Sequence, residues 1–136
     1  MKRTITRVMA MMVLYHIEIM GSSNMDEIKA IAEKDLSFDE DFLSVLVNGV
    51  LDHQKEIDHI ISRYLNNYTL DRLSYLDRNL IRIGTYELKY TNTPTSIVIN
   101  EIVEISKEYS EIEGFSTSKF NNSILDRIAK GLADGT

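Results

Sequence analysis

Residues Leu73 to Tyr90, LSYLDRNLIRIGTYELKY, constrain the fold more than any other stretch of this chain. Leu73, Leu76, Leu80 and Ile83 recur at helical spacing, and Ile81, Gly84 and Leu88 form a second row beside them, so a helix here is apolar over more than half its circumference. Such a helix has to be enclosed by other helices. Gly84 costs about 1 kcal/mol relative to alanine in a helix interior, which makes sense where a neighbouring backbone approaches closely. Ser74 is placed to cap the helix, because its hydroxyl can satisfy an orphan amide. Asp77, in the first turn, complements the positive end of the macrodipole.

The class expected is all-α. With one proline, six glycines and 43% hydrophobic residues, the chain has few places to break helices, and strict apolar/polar alternation is hard to find. A length of 136 residues suits a single domain, 1–136, that buries a core without disulfides or metal. Cysteine is missing from the sequence, which fits a reducing compartment. The apolar run Val8 to Leu14 is too short to span a bilayer, and no small-residue cleavage site follows it. The expectation is a soluble, cytoplasmic protein with no membrane association.

Taken in order, Thr4 to Met20 reads as a first helix with an apolar stripe of Ile5, Val8, Met9, Met12, Ile17 and Ile19, ended by Gly21 to Asn24. Met25 to Lys34 reads as a short second helix. Ser37 and Asp39 can cap the next helical stretch, in which Phe42, Leu46, Gly49, Val50, His53, Ile57, Ile60 and Tyr64 keep near-heptad spacing. That pattern fits one long helix or two joined by a bend near His53 to Glu56. After the polar break Asn66 to Thr69, a short turn at Leu70 to Leu73 leads into the central helix, which Thr91 to Pro94 stops. A sixth helix, Thr95 to Tyr109, turns Val98, Ile102, Ile105 and Tyr109 inward and lines Glu101, Glu104 and Glu108 along an acidic face. Ser110 to Phe115 is a loop, and Ser116 caps a last helix through Phe120, Ile124, Leu125, Ile128 and Leu132. No repeat, low-complexity segment or linker divides the chain.

The sequence offers no catalytic pattern. It has no glycine-rich phosphate loop and no Cys or His cluster at zinc spacing, and no cofactor is expected. Glu56-Ile57-Asp58-His59 carries the Glu-x-x-His spacing of di-iron helical bundles, but such a site needs two copies and further inward glutamates. Only one copy exists, and the inward row Ile57, Ile60, Tyr64 turns Glu56 and His59 toward solvent. A net charge of −6 argues against indiscriminate nucleic-acid binding, yet the charge is unevenly spread. Lys2, Arg3 and Arg7 precede any acid, Glu18 to Asp58 is strongly acidic, and the last helix is mildly basic through Lys119, Arg127 and Lys130.

Several of these segments resemble the NusB family of bacterial transcription antitermination factors. The resemblance is carried by Ala10 to Tyr15 (AMMVLY), Leu46 to Val50 (LVNGV), Ile57 to Leu65 (IDHIISRYL) and, most clearly, Leu73 to Leu88 (LSYLDRNLIRIGTYEL). It continues in Pro94, Ile99-Asn100-Glu101, Glu104, Ser106-Lys107, Lys119-Phe120, Asn122 and Leu125-Asp126. It implies about seven helices in two packed subdomains, and binding rather than catalysis. The partners it implies are boxA RNA of ribosomal RNA leaders, the ribosomal protein NusE, and an antitermination complex with RNA polymerase. A homodimer is also compatible with it. The alternative is a structural or homodimeric helical module without RNA binding.

The RNA contacts this resemblance implies are Lys2, Arg3, Arg7, Tyr15, Lys119, Phe120 and Asn122, and the partner contacts are Tyr64, Asp77 and Glu101. A cation near a helix N-terminus is disfavoured by the dipole, so three of them there suit an external anion, although a solvated helix start would look the same. On pattern alone Tyr15 and Phe120 read as core residues. The resemblance instead makes them platforms for single-stranded RNA, which is gripped by aromatic stacking beside basic groups. Asp77 fits a capping role as well as a partner contact.

Overall fold

The computed structural model describes residues 2–21, 37–66, 68–111 and 116–135. Among them every regular element is helical, as the scarcity of breakers led one to expect. The elements are α1 (Lys2–Met20), α2 (Glu40–Asp52), α3 (Gln54–Arg63), a 3-10 turn (Leu70–Arg72), α4 (Tyr75–Tyr90), α5 (Thr95–Tyr109) and α6 (Thr117–Ala133). The expected helix at Met25 to Lys34 lies outside the described residues.

α4 is the central element. It packs against all five other helices, and Leu80, Ile81 and Ile83 have no exposed surface. Burying each such side chain stabilises the fold by about 1.5 to 3 kcal/mol before chain entropy is subtracted. Its start follows from the cap read in the sequence, since the Ser74 hydroxyl accepts from the Asp77 amide at 3.1 Å. At Gly84 the close neighbours are side chains: an added Cβ would lie 3.0 and 3.2 Å from the Leu125 methyls of α6 and 3.4 Å from Ile102 of α5. The expectation of a neighbouring backbone there is corrected to a three-helix side-chain contact.

The open question over Phe42 to Leu65 resolves into two helices. His53, at φ −115° and ψ 17°, leaves the helical region and separates α2 from α3. Its ring stacks on Tyr90 with centroids 4.3 Å apart, and Tyr90 stacks on Tyr86 at 5.3 Å. Gly49 makes room for this stack, because a Cβ there would fall 2.2 Å from the Tyr86 ring. Two other expectations shift. Tyr109 is exposed, and of the expected α1 stripe Met12 and Ile19 are exposed, while Met9 is buried and Ile5, Val8 and Ile17 pack against the core beside the buried Thr6, Arg7, Ala10, Val13 and Leu14. α1 is apolar nearly all round, so hydrophobicity does not choose its inner face. Polar bonds do: Thr6 accepts from the Asp39 amide at 2.9 Å, and Arg7 meets a carboxylate on α4.

The stack gives a pH-dependent expectation. The Tyr90 hydroxyl donates to Glu56 at 2.7 Å, and Glu56 also pairs with Lys89. Partial burial, and then the hydrogen bond to Glu56, pushes the Tyr90 phenol from 10.0 up to about 12. A raised folded-state value means the stability this contact adds is fully present below pH 10 and is lost as pH climbs from 10 toward about 12. In an ultraviolet phenolate titration Tyr90 should ionise late, and Glu56→Ala should bring it down toward the ordinary value. No change in Glu56→Ala would show that the carboxylate has no part in the shift.

Candidate nucleic-acid interface

α1 and α4 run antiparallel, because Arg7 bonds Glu87 near one end of α4 while Glu18 bonds Arg78 near the other. This arrangement sorts the residues expected to touch RNA into two groups at opposite ends of the helix pair. Arg3 and Tyr15 lie about 18 Å apart along α1, at 1.5 Å per residue.

The first group surrounds the start of α1. Lys2 and Arg3 are exposed, and the Arg3 guanidinium sits 4.2 Å from the centre of the Phe42 ring, which steadies it without neutralising it. Thr4, Arg7, Asp41, Val45, Pro94 and Ile97 help to line an open groove of about 930 Å³ beside it. Arg7 departs from its expected use. It is 1% exposed, its Nε and Nη2 donate to the two Glu87 oxygens at 2.7 and 2.8 Å, and its Nη1 donates to Glu101 at 3.1 Å. A fork held on one carboxylate and touching a second has its charge compensated inside the protein. Glu101, expected at a partner face, is half-buried and also accepts from the Thr4 hydroxyl.

The second group gathers where α4 begins. Asp77 is 4% exposed. It accepts from the Ser74 hydroxyl at 2.8 Å and from the Asn121 amide at 3.0 Å, and Asn121 donates to Ser106 at 2.8 Å. Asp77 therefore ties the starts of α4 and α6 to α5, which is the capping role extended into a network. That tether fixes the α6 residues on either side of Asn121. Lys119 and Asn122 are exposed and Phe120 is half-buried, its ring 6.0 Å from that of Tyr68. Tyr15, on α1, is half-buried and meets Tyr75 edge to face at 5.9 Å. Tyr64 is half-buried at the C-terminal end of α3. Exposed Tyr68 and Tyr75 were not singled out in the sequence. The signal was available, since both sit outside the apolar rows on either side of the short turn before α4.

Between the groups lies a polar belt. Arg82 makes a bidentate pair with Asp58 at 2.8 and 3.0 Å and reaches Glu18 at 2.9 Å, while Asn79 also donates to Glu18 at 2.9 Å. Arg78 is held by Glu18 and by the Leu73 carbonyl. Glu56 and His59, the false metal lead, are exposed, and Glu56 is bonded to Lys89 and Tyr90.

Comparison with known proteins adds a family to this geometry. A sequence profile of the NusB family matches residues 4–130. The transcription antitermination protein NusB of Staphylococcus aureus is 36% identical over 132 residues, covering 96% of this chain and all of that protein. That of Fervidobacterium nodosum is 53% identical over 85 residues, covering 62% of this chain and 58% of that protein. Among solved structures, T. maritima NusB superposes with a TM-score of 0.78 at 34% identity, covering 96% of this chain and 92% of that one. A structure of antitermination factors NusB and NusE in complex with dsRNA gives a TM-score of 0.77 at 32% identity, covering 96% and 97%.

Proposed function

This chain belongs to the NusB family, and from that premise we propose that it is a non-catalytic antitermination factor. It binds the boxA RNA of ribosomal RNA leader transcripts together with the ribosomal protein NusE, acting as one domain in the cytoplasm to support processive transcription by RNA polymerase. The observation that carries this reading is the likeness, over nearly the whole chain, to a structure that holds NusB, NusE and RNA together.

The two surface groups fit that task. Lys2 and Arg3 supply phosphate contacts, Lys119 and Asn122 supply phosphate and base-edge contacts, and Tyr15 and Phe120 supply stacking. Tyr64, Asp77 and Glu101 lie near the partner face, with Asp77 and Glu101 acting through the bonds that shape it. Arg7 enters as a brace for the helix that carries Lys2 and Arg3. Among the described residues no helix is long and apolar enough to cross a membrane.

A titration of labelled boxA RNA at several salt concentrations tests the electrostatic part. Replacing Lys2 and Arg3 with Ala should weaken binding across sequences and flatten its salt dependence, by roughly 0.7 in logarithmic slope for each lost phosphate contact. An unchanged slope would move the RNA to another surface.

A further inference from the structure

We propose that Tyr68 and Tyr75 are two base-stacking platforms for single-stranded RNA, with Arg72 as an added phosphate contact, an assignment that rests on the RNA-binding reading above. Large rings are usually buried, but these two are 44% and 43% exposed. Each leans on a better-buried ring from a different helix: Tyr68 on Phe120 of α6 at 6.0 Å, and Tyr75 on Tyr15 of α1 at 5.9 Å. The contacts are tilted and edge-on, at 50° and 80°. Neither contact is a parallel stack, so each exposed tyrosine keeps ring surface for another planar group.

A guanidinium sits over one face of each tyrosine. Arg78 lies 4.6 Å from the Tyr75 centre and is itself held by Glu18 and the Leu73 carbonyl. Arg72 lies 5.8 Å from the Tyr68 centre. Cations there draw on the ring quadrupole and hold the rings in place, so a base stacks on a pre-set surface. Arg72 and Lys119 form no ion pair with any described residue, so their charge is available to phosphates.

The platforms stand on opposite sides of the start of α4, one tied to α6 and the other to α1. The Ser74, Asp77 and Asn121 bonds fix that spacing. Two separated platforms suit a strand whose bases are splayed outward, and a duplex, with its bases stacked internally, would offer neither face. The ligand class is thus an unpaired RNA segment, with Tyr68 and Tyr75 extending the stacking surface that Tyr15 and Phe120 begin.

The test uses the full chain with NusE and a labelled single-stranded boxA oligonucleotide, measured by fluorescence anisotropy. Tyr68→Ala and Tyr75→Ala should each weaken binding by about 5-fold to 150-fold, the span of base stacking on an aromatic ring. Their salt slopes should be unchanged and their thermal melting should stay close to that of the parent. Tyr68→Phe and Tyr75→Phe should bind within about twofold of the parent, since stacking needs the ring and not the hydroxyl. Parent-like affinity in both alanine variants would overturn the platforms while leaving RNA binding by the family surface intact. Equal loss in the alanine and phenylalanine variants would also overturn stacking, by assigning the effect to the hydroxyls. Failure of the parent protein and its NusE pair to bind the oligonucleotide at all would overturn the RNA-binding reading, and the platforms with it.

Discussion

Replacing Arg7 with Ala is expected to lower the unfolding free energy by about 3 to 5 kcal/mol, because it strands a buried carboxylate. Glu87 has no exposed surface, and both of its oxygens accept from Arg7. Nothing in solvent can replace that fork without opening the contact between α1 and α4. Removing both charges is a different matter, since a buried pair repays little more than its desolvation cost. The double change Arg7→Met with Glu87→Leu should therefore cost less than Arg7→Ala alone. Urea unfolding with an unchanged denaturant slope measures both. Parent-like stability in Arg7→Ala would mean that the pair is open in solution and that Arg7 is free to meet RNA after all. Otherwise a loss of RNA binding in Arg7→Ala reports the fold, and only Lys2 and Arg3 report the contact.

The second large effect is expected at the centre of the core. Leu80→Ala should cost about 2 to 5 kcal/mol through lost transfer energy and the cavity left behind, because Leu80 is fully buried in the helix that every other described helix touches. Melting close to that of the parent would mean the core is organised around something else. Gly84 probes the same helix from the opposite direction. Gly84→Ala asks the Leu125 methyls to give by a few tenths of an ångström and gains about 1 kcal/mol of helix propensity in return. Gly84→Leu has no such slack and should be the worse of the two.

How far the sequence revealed this molecule depends on the range of the forces involved. The central helix was legible because its signals are local: a capping Ser74, an acid at Asp77, two apolar rows, and Pro94 beyond its end. The bend at His53 was legible only as one of two readings, since neither proline nor glycine marks it and a ring stack with Tyr90 holds it from α4. The inner face of α1 was only partly legible, for a related reason. With methionines and valines nearly all round, the choice falls to Thr6 and Arg7, and the carboxylate that holds Arg7 lies 80 residues away in sequence. Lys2, Arg3 and Arg7 look alike as a basic helix start, and only tertiary contact divides two surface cations from one internal brace. Tyr15 and Phe120 were singled out through the family resemblance, whereas Tyr68 and Tyr75 carried only a weak signal, their place outside the apolar rows, and their exposure shows once the helices are packed.

The central claim is that RNA is held on a surface shared with a partner. In an acidic chain with net charge −6, the arginines at 7, 78 and 82 are committed to carboxylates and are not available to phosphate. NusE, a ribosomal protein expected to be basic, would supply further cations, steered by the acidic face of α5 at Glu104 and Glu108. Linkage then requires reciprocity. A tenfold gain in RNA affinity from NusE must equal a tenfold gain in NusE affinity from RNA, a coupling of about 1.4 kcal/mol. The deciding measurement is a titration of labelled boxA RNA against this protein alone, NusE alone and the preformed pair at equal salt. Weak binding by the protein alone and at least several-fold tighter binding by the pair is the predicted result. Equal affinities for the protein alone and the pair, once the contribution of NusE alone is subtracted, would contradict it.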